Sequence, residues 1–232
     1  MQDSANKAKK CSRCDGLASR ERLLTEALRL FAEQGFAKTS TRAIAQAAGV
    51  NISAISYYFG DKEGLYRAAF YEPFAEHSDI QSEIAAILAP ELSLQQALQL
   101  FFSRMLTPFT QGAHMQHCLR LHMREMVEHT ALWEEELQQR ILPKHAAMRD
   151  LLARHLGLPQ GDVEIDRLVC AIISMPIHWI ISQEVVHQFQ PALTQKTDAV
   201  EQEVQALVRY ALVLIENEAR LRGLPLSAAQ AA

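Results

Sequence analysis

A cluster of small and hydrogen-bonding side chains near residue 55 has the chemistry needed to contact the bases of DNA. Ser53, Ala54 and Ser56 are short, so a helix that carries them could bring its backbone close to base edges in the major groove. Their hydroxyl groups could form hydrogen bonds with those edges, and Ala54 could touch a thymine methyl group. Tyr57 and Tyr58 follow and add reach. The cluster therefore predicts contact with nucleic acid.

Neighbouring side chains are suited to hold phosphate groups. Thr41 is expected at a helix N-terminus, which favours an anion, and Tyr58 and the ammonium group of Lys62 could also bind phosphate. The guanidinium of Arg42 could read guanine or bind phosphate, and the sequence leaves both open. Together with two expected helix caps, the predicted DNA-contacting residues are Ser40, Thr41, Arg42, Asn51, Ser53, Ala54, Ser56, Tyr57, Tyr58 and Lys62.

The apolar pattern predicts the helices that position these side chains. We expect a first helix over 19–34, and a second over 42–48 that is capped by Ser40 or Thr41. A third helix follows a tight turn that contains glycine and is capped by Asn51, which is the arrangement of a helix-turn-helix. Asp61 then caps a long fourth helix, which we expect to connect the two parts of the chain.

Beyond residue 70 the sequence shows long amphipathic segments and no alternating pattern typical of strands. We expect helices at about 93–108, 114–128, 131–156, 163–188 and 198–221, two of them kinked by Pro143 and Pro176. The predicted fold is all-α, with an N-terminal three-helix helix-turn-helix domain and a larger C-terminal helical domain. The expected boundaries are a flexible basic arm at 1–17, the helix-turn-helix domain at 18–64, the helical domain at 65–223 and a flexible tail at 224–232.

Charge is distributed unevenly along the 232 residues. The net charge of -4 excludes a uniformly basic nucleic-acid binder. The first 70 residues nevertheless carry eleven basic and seven acidic side chains, whereas the remaining 162 carry twelve basic and twenty acidic ones. This asymmetry indicates an N-terminal module that meets a polyanion.

The sequence contains no segment typical of export or membrane insertion. The first seventeen residues are polar, and the most apolar stretch, 168–181, is shorter than a membrane span. We therefore expect a protein of the cytoplasm without a membrane partner. The four cysteines, at positions 11, 14, 118 and 170, are then expected to be reduced.

An ordered set of motifs between Ser19 and Leu65 resembles the DNA-binding domain of the tetracycline-repressor (TetR) family of bacterial regulators. The matching stretches are RERLL at 20–24, ALRLFAEQGF at 27–36, TSTRAIA at 39–45, AGV at 48–50 and ISYYFGDKEGL at 55–65. Gly64 departs from the family, which usually has a helix former there, and we expect it to cost about 1 kcal/mol of helix propensity. The region LRLHMRE at 119–125, followed by ILP at 141–143, looks most like the CecR/YbiH-like subgroup.

The resemblance implies a homodimer that binds palindromic double-stranded operator DNA and a C-terminal domain that binds a small effector. Family members dimerise through their last two long helices, whose candidate interface residues here are Ile173, Ile177, Ile180, Val204, Leu207, Val208, Ala211 and Leu214. A second possibility is that these side chains form only the core. The implied function is a repressor that an effector releases from DNA.

Aromatic residues and methionines in the C-terminal part could line a cavity for a hydrophobic or amphipathic effector, with a few polar groups that orient it. For most of them a role in the core or at the surface is the alternative. The candidate ligand-binding residues are Phe70, Phe74, Phe102, Met105, Arg120, His122, Met123, Met126, Trp133 and His178.

Two other functions are weighed against this one. His114, Cys118 and His122 fall on one face of a predicted helix and could make the protein a metal- or redox-responsive regulator, although no fourth ligand is placed. A helical enzyme is the second alternative, but the sequence has no GxSxG, GxGxxG or HExxH motif and no phosphate-binding glycine-rich loop. We therefore predict no catalytic residues, no metal and no cofactor.

Overall fold

The computed structural model describes residues 2–73, 79–110, 112–159, 161–195 and 198–224. Within these ranges it contains helices and turns without strands, which confirms the all-α prediction. The helices are α1 (Gln2–Gln34), α2 (Thr41–Ala47), α3 (Ser53–Phe59), α4 (Lys62–Tyr71), α5 (Ile80–Ile87), α6 (Leu94–Leu106), α7 (Ala113–Glu128), α8 (Ala131–Glu136), α9 (Leu142–Leu156), α10 (Val163–Ile181), α11 (Gln183–Phe189), α12 (Ala192–Gln195) and α13 (Ala199–Leu221).

Local capping explains where the helices near the N-terminus begin and end. The side chain of Ser40 accepts a hydrogen bond from the backbone N–H of Ala43, so Ser40 rather than Thr41 caps α2. Asp61 caps α4 by accepting from the N–H of Gly64 at 2.7 Å. The first helix differs from its prediction, because α1 begins at Gln2 instead of Ser19.

The fourth helix is shorter than expected. It ends at Tyr71, two residues before Pro73, whose ring nitrogen has no hydrogen to donate to a continuing helix. A separate helix, α5, begins at Ile80 with Asp79 as its cap. The prediction of a long fourth helix is therefore wrong in its length.

Gly64 is required by its surroundings, which corrects the expectation that it costs only helix propensity. A Cβ atom at this position would lie 2.0 Å from the carbonyl oxygen of Phe59, far inside van der Waals contact. The backbone that leaves α3 passes so close to the first turn of α4 that only glycine fits. The tight α3–α4 connection thus depends on this one residue type.

Two helices predicted as continuous are interrupted. The segment expected at 131–156 consists of α8, a π-helical turn at Leu137–Ile141, and α9, which has Pro143 in its first turn. A wider turn at this point suits proline, which removes a backbone donor and crowds the preceding turn. The segment expected at 163–188 breaks at Ser182, and a 79° bend separates α10 from α11.

The chain forms two compact units, and each unit is built from two separate stretches of the sequence. Unit 1 comprises residues 1–78 and 111–133, and unit 2 comprises residues 79–110 and 134–232. Unit 1 therefore contains α1–α4 together with α7. Its buried core includes Phe31, Ile44, Leu65 and Phe70 from the N-terminal helices and Leu121 from α7.

Unit 2 is built around α6, α10 and α13, with α5 and α9 packed at its side. Ser93 and Gln96 begin α6 with a reciprocal capping box, and Asp162 caps α10. The guanidinium of Arg222, just after α13, binds the carboxylate of Asp162 with two hydrogen bonds of 2.6 and 3.0 Å. This pair ties the end of α13 to the beginning of α10.

Among the described residues no single helix is long and apolar enough to cross a membrane. In the described part of the chain, α10 and α11 taken together reach that length and composition, and a 79° bend at Ser182 separates them.

Candidate nucleic-acid interface

The turn between α2 and α3 is held by backbone and side-chain hydrogen bonds. Gly49 adopts a φ of 64°, and the N–H of Val50 bonds the carbonyl of Ala45 at 3.0 Å. The side-chain oxygen of Asn51 accepts from both the N–H and the hydroxyl group of Ser53, each at 2.9 Å. Asn51 thus satisfies a free donor at the start of α3, as predicted for a cap, although the helix itself begins two residues later.

The two faces of α3 have opposite roles. Ile55 points inward and is buried with Ile44 of α2. Ser53, Ser56 and Tyr57 point outward, and Tyr57 is 81% exposed, an unusual state for a large aromatic side chain. The helix therefore presents hydroxyl groups and one aromatic ring on a surface that the core behind it supports.

The remaining residues of the cluster are less exposed. Tyr58 is half-buried and packs edge-to-face on Tyr57 with 4.8 Å between the ring centroids. Ala54 is half-buried against the core of unit 1. The contact with Tyr58 restricts the side chain of Tyr57 before binding, which limits the entropy that this side chain would lose on contact with DNA.

The three candidate DNA-contacting residues at the start of α2 differ in exposure and in hydrogen bonding. Arg42 is exposed, and Thr41 is half-buried. The hydroxyl oxygen of Ser40 is engaged as the cap, at 3.1 Å from the N–H of Ala43. The contacts of these residues with DNA stay predictions.

The ammonium group of Lys62 is held in place by α1 and its following loop. It donates a hydrogen bond of 2.6 Å to the carbonyl oxygen of Phe36 and lies 4.2 Å from the centre of the Phe36 ring. An ammonium group has three N–H donors, so this bond leaves others for a phosphate. The role of Lys62 at phosphate stays a prediction.

An ion pair that sequence reasoning missed fixes α1 on α4. Arg20 donates two hydrogen bonds to the carboxylate of Glu72, at 3.0 and 2.5 Å, and its guanidinium lies 4.9 Å from the centre of the Phe59 ring. The hydrogen bonds with Glu72 raise the pKa of Arg20. Because Arg20 and Glu72 are 52 positions apart, no local sequence pattern predicts that they pair.

A buried polar group joins α4 to α7. The carboxylate of Glu125 is fully buried, and it accepts hydrogen bonds from the hydroxyl group of Tyr66 and, at 2.5 Å, from that of Thr130. Burial, with the neighbouring carboxylate, raises the pKa of Tyr66. Arg124 adds a bond of 3.2 Å to the carbonyl oxygen of Glu33. Helix α7 is thereby attached to α4 and α1 by polar contacts as well as by its apolar face.

The candidate ligand-binding residues are divided between the two units. Phe70, Arg120, His122, Met123, Met126 and Trp133 belong to unit 1, and Phe102, Met105 and His178 belong to unit 2. Phe74 lies outside the described residues.

Within each unit the structure gives several of these residues a local role. His122 stacks on Phe70 with 3.9 Å between ring centroids, and its Nδ1 lies 2.9 Å from the carbonyl oxygen of Cys118. Phe102 is fully buried in unit 2, whereas Arg120 and His178 are exposed. A cavity of 290 Å³ in unit 2 is lined by Pro90, Leu92, Leu94, Leu151, Arg154 and His155, none of which was predicted.

Most candidate interface residues are buried inside unit 2. Ile173, Ile180, Val204, Leu207, Val208 and Ala211 are buried, Ile177 is half-buried, and Leu214 is exposed. The buried six are core residues: Ile173 and Ile180 lie on α10, and the other four lie on the side of α13 that packs on α6 and α10 of the same chain. The exposed apolar residues of α13 are Tyr210, Val213, Leu214 and Leu221.

The structure does not support the metal-binding alternative. No group of three or more His, Cys, Asp or Glu side chains in the described ranges could hold a metal ion. The thiol of Cys118 donates to the carbonyl oxygen of His114, and burial raises its pKa to about 12, which opposes the thiolate form that a metal needs.

Known proteins share both parts of this arrangement. Residues 94–215, more than half of the chain, match the family described as the C-terminal domain of the HTH-type transcriptional dual regulator CecR. Residues 23–69 match the family described as bacterial regulatory proteins, tetR family. The chain is 28% identical to the HTH-type transcriptional dual regulator CecR of Shigella flexneri over an alignment of 178 positions, and the match covers 74% of this chain and 79% of that protein.

Solved structures have the same fold. NalD, the secondary repressor of the MexAB-OprM multidrug efflux pump in Pseudomonas aeruginosa, matches with a TM-score of 0.58 at 18% identity over 91% of this chain and 99% of that chain. SmeT, solved as a complex with triclosan, matches with a TM-score of 0.58 at 16% identity over 84% of this chain and 90% of that chain. The matching families and the Shigella relative are regulators of transcription rather than enzymes. This chain belongs to the TetR family of DNA-binding transcriptional regulators and carries a C-terminal domain of the CecR type.

Proposed function

We propose that the protein is a homodimeric repressor whose effector-free form binds a palindromic operator and whose small hydrophobic or amphipathic effector releases it. The observation that carries the proposal is the outward face of α3, where Ser53, Ser56 and the 81% exposed Tyr57 stand on a core that includes Ile55. A helix with such a face can enter the major groove and read base edges. The positive balance of the first 70 residues favours the same partner.

The homodimer follows from the geometry of a palindrome. Two copies of the reader must lie about 34 to 36 Å apart, one turn of DNA, or a multiple of that distance. The exposed apolar side chains of Tyr210, Val213, Leu214 and Leu221 on α13 support a pairing surface, since a long apolar stripe in water favours a partner. The proposed interface therefore lies on this exposed side of α13 and not on its buried side. With genomic DNA as partner, the proposed location is the cytoplasm.

Binding of a small effector is supported by the family and by one fold neighbour, SmeT, which was solved with triclosan. An effector can release the protein only if it binds the free dimer more tightly than the DNA-bound dimer. The Shigella relative is called a dual regulator. That this protein represses transcription, and does not activate it, is therefore part of the proposal.

The direct test is selection of preferred duplexes from a random pool with the purified full chain. Fluorescence anisotropy then compares the selected duplex with a scrambled one over a series of salt concentrations. We expect selective binding at two subunits per site or a multiple of two. Tyr57→Ala should reduce the preference for the selected duplex, whereas Val127→Ala, which truncates an exposed side chain on α7, should not. Equal binding to both duplexes would contradict the proposal.

Effector release is tested on the same complex. Triclosan and a panel of hydrophobic and amphipathic compounds are titrated into the operator complex, and a fall in anisotropy is expected for at least one of them. A compound that binds the protein and strengthens operator binding would overturn release as the mechanism while leaving the operator function intact.

A further inference from the structure

One aliphatic side chain on the proposed DNA-reading surface lies outside the buried core. Between Val50 and Phe59 the other apolar side chains, Tyr57 excepted, are buried or packed against the core of unit 1. Ile52 is separate from that core and is 49% exposed. It precedes the first residue of α3, at the end of the helix that enters the groove first.

The backbone of Ile52 already has helical angles at the start of α3, with φ -56° and ψ -31°, and its side chain forms no capping bond. Asn51 supplies that bond instead through its contacts with Ser53. The side chain of Ile52 is therefore exposed together with Ser53, Ser56 and Tyr57 on the surface that is proposed to face DNA.

The chemistry of the side chain restricts what it can read. A branched hydrocarbon has no hydrogen-bond donor or acceptor, and the C5 methyl group of thymine is the apolar group that base pairs expose in the major groove. The β-branched side chain has few rotamers, so little side-chain entropy is lost on contact. We propose that Ile52 determines operator specificity by packing on a thymine C5 methyl group in each half-site. This inference rests on the proposed operator function.

The test uses duplexes that differ only in that methyl group. Each thymine of the selected operator is replaced in turn, symmetrically in both half-sites, by deoxyuridine, which pairs identically but lacks the methyl group. Affinity is measured by anisotropy for the wild type, Ile52→Ala, Ile52→Val and the control Val127→Ala. Thermal unfolding of each variant verifies folding, and Ile52→Val retains the branched side chain should Ile52→Ala unfold.

At one thymine position we expect loss of the methyl group to weaken wild-type binding about fourfold per half-site, the amount that corresponds to one buried methyl group. The Val127→Ala control should be weakened by the same factor. Ile52→Ala should bind the thymine and deoxyuridine duplexes equally, and Ile52→Val should fall between them.

Three outcomes would overturn the inference. They are an operator without thymine in its half-sites, deoxyuridine duplexes that all bind like the thymine duplex, and a methyl effect that persists in Ile52→Ala, which would assign the contact to another residue such as Ala54. In each case selective operator binding would still stand. If selection enriches no duplex, the proposed operator function fails and the inference fails with it.

Discussion

The hydroxyl group of Tyr66 on α4 donates a hydrogen bond to the fully buried carboxylate of Glu125 on α7. The two residues are 59 positions apart, and the second donor to the same carboxylate, Thr130, follows α7. A buried carboxylate is stable only when hydrogen bonds replace the water that burial removes. The contact between α4 and α7 therefore contributes to the stability of unit 1.

We expect Tyr66→Phe to lower the free energy of unfolding by about 1 to 3 kcal/mol, because it leaves one oxygen of the buried Glu125 carboxylate without its donor. Urea unfolding followed by circular dichroism measures the change. Tyr57→Phe removes a hydroxyl group from an 81% exposed side chain and, in the absence of DNA, should leave the midpoint unchanged. Equal midpoints for Tyr66→Phe and the wild type would mean that this hydrogen bond contributes no net stability.

Lys62→Ala should weaken binding to selected and scrambled duplexes by similar factors, since phosphate contacts carry no sequence information. The slope of log affinity against log salt should become less steep by about one for every phosphate that each subunit no longer binds. Anisotropy over a salt series gives both quantities. Lys62 also bonds the carbonyl oxygen of Phe36, so unfolding is measured in parallel to separate the two effects. Lys62→Arg keeps the charge and should keep the slope, and an unchanged slope in Lys62→Ala would remove Lys62 from the residues that bind phosphate.

Gly64→Ala should destabilise the protein although alanine is the better helix former. The added Cβ would lie 2.0 Å from the carbonyl oxygen of Phe59, and the shift needed to relieve this clash should cost about 1 to 3 kcal/mol. Urea unfolding measures the change in stability. Ala68→Gly on the same helix provides the opposite substitution and should cost about 1 kcal/mol from helix propensity alone. A Gly64→Ala variant more stable than the wild type would show that the α3–α4 connection can yield.

The ion pair between Asp162 and Arg222 predicts a pH dependence in unit 2. The hydrogen bonds from Arg222 lower the pKa of Asp162 from 3.8 to about 2, so the pair stabilises the fold above pH 4 and its contribution disappears as the pH falls from 4 to 2. Asp162→Asn retains an oxygen that can cap α10 but removes the charge. Urea midpoints of the wild type and Asp162→Asn should differ at about pH 6 and converge near pH 2. A difference that is constant over this range would exclude the ion pair as its cause.

Val213→Glu should convert the proposed homodimer to a monomer, because it places a charge in the exposed apolar stripe between Tyr210 and Leu214 on α13. Sedimentation velocity measures the oligomeric state, and operator affinity should fall together with dimerisation. Val127→Glu places the same charge on exposed α7 and should remain dimeric. A dimeric Val213→Glu variant would exclude this stripe as the interface.

The sequence by itself determined the features that depend on near neighbours along the chain. Helical periodicity predicted the all-α class, and Ser40 and Asp61 cap their helices through bonds that span three residues. The outward position of Tyr57 and the inward position of Ile55 follow in the same way from the helical repeat behind a short turn. An ordered motif of this kind is enough to predict which side of α3 faces outward.

Only the tertiary structure decided which faces of the helices meet each other. An apolar stripe has the same pattern whether it packs within the chain or against a second copy, so Val204 and Leu207 were predicted at an interface and lie in the core. Lys62 with Phe36, and Tyr66 with Glu125, are joined over 26 and 59 positions. Such contacts depend on how distant helices pack, because packing chooses among surfaces that local sequence makes equally suitable.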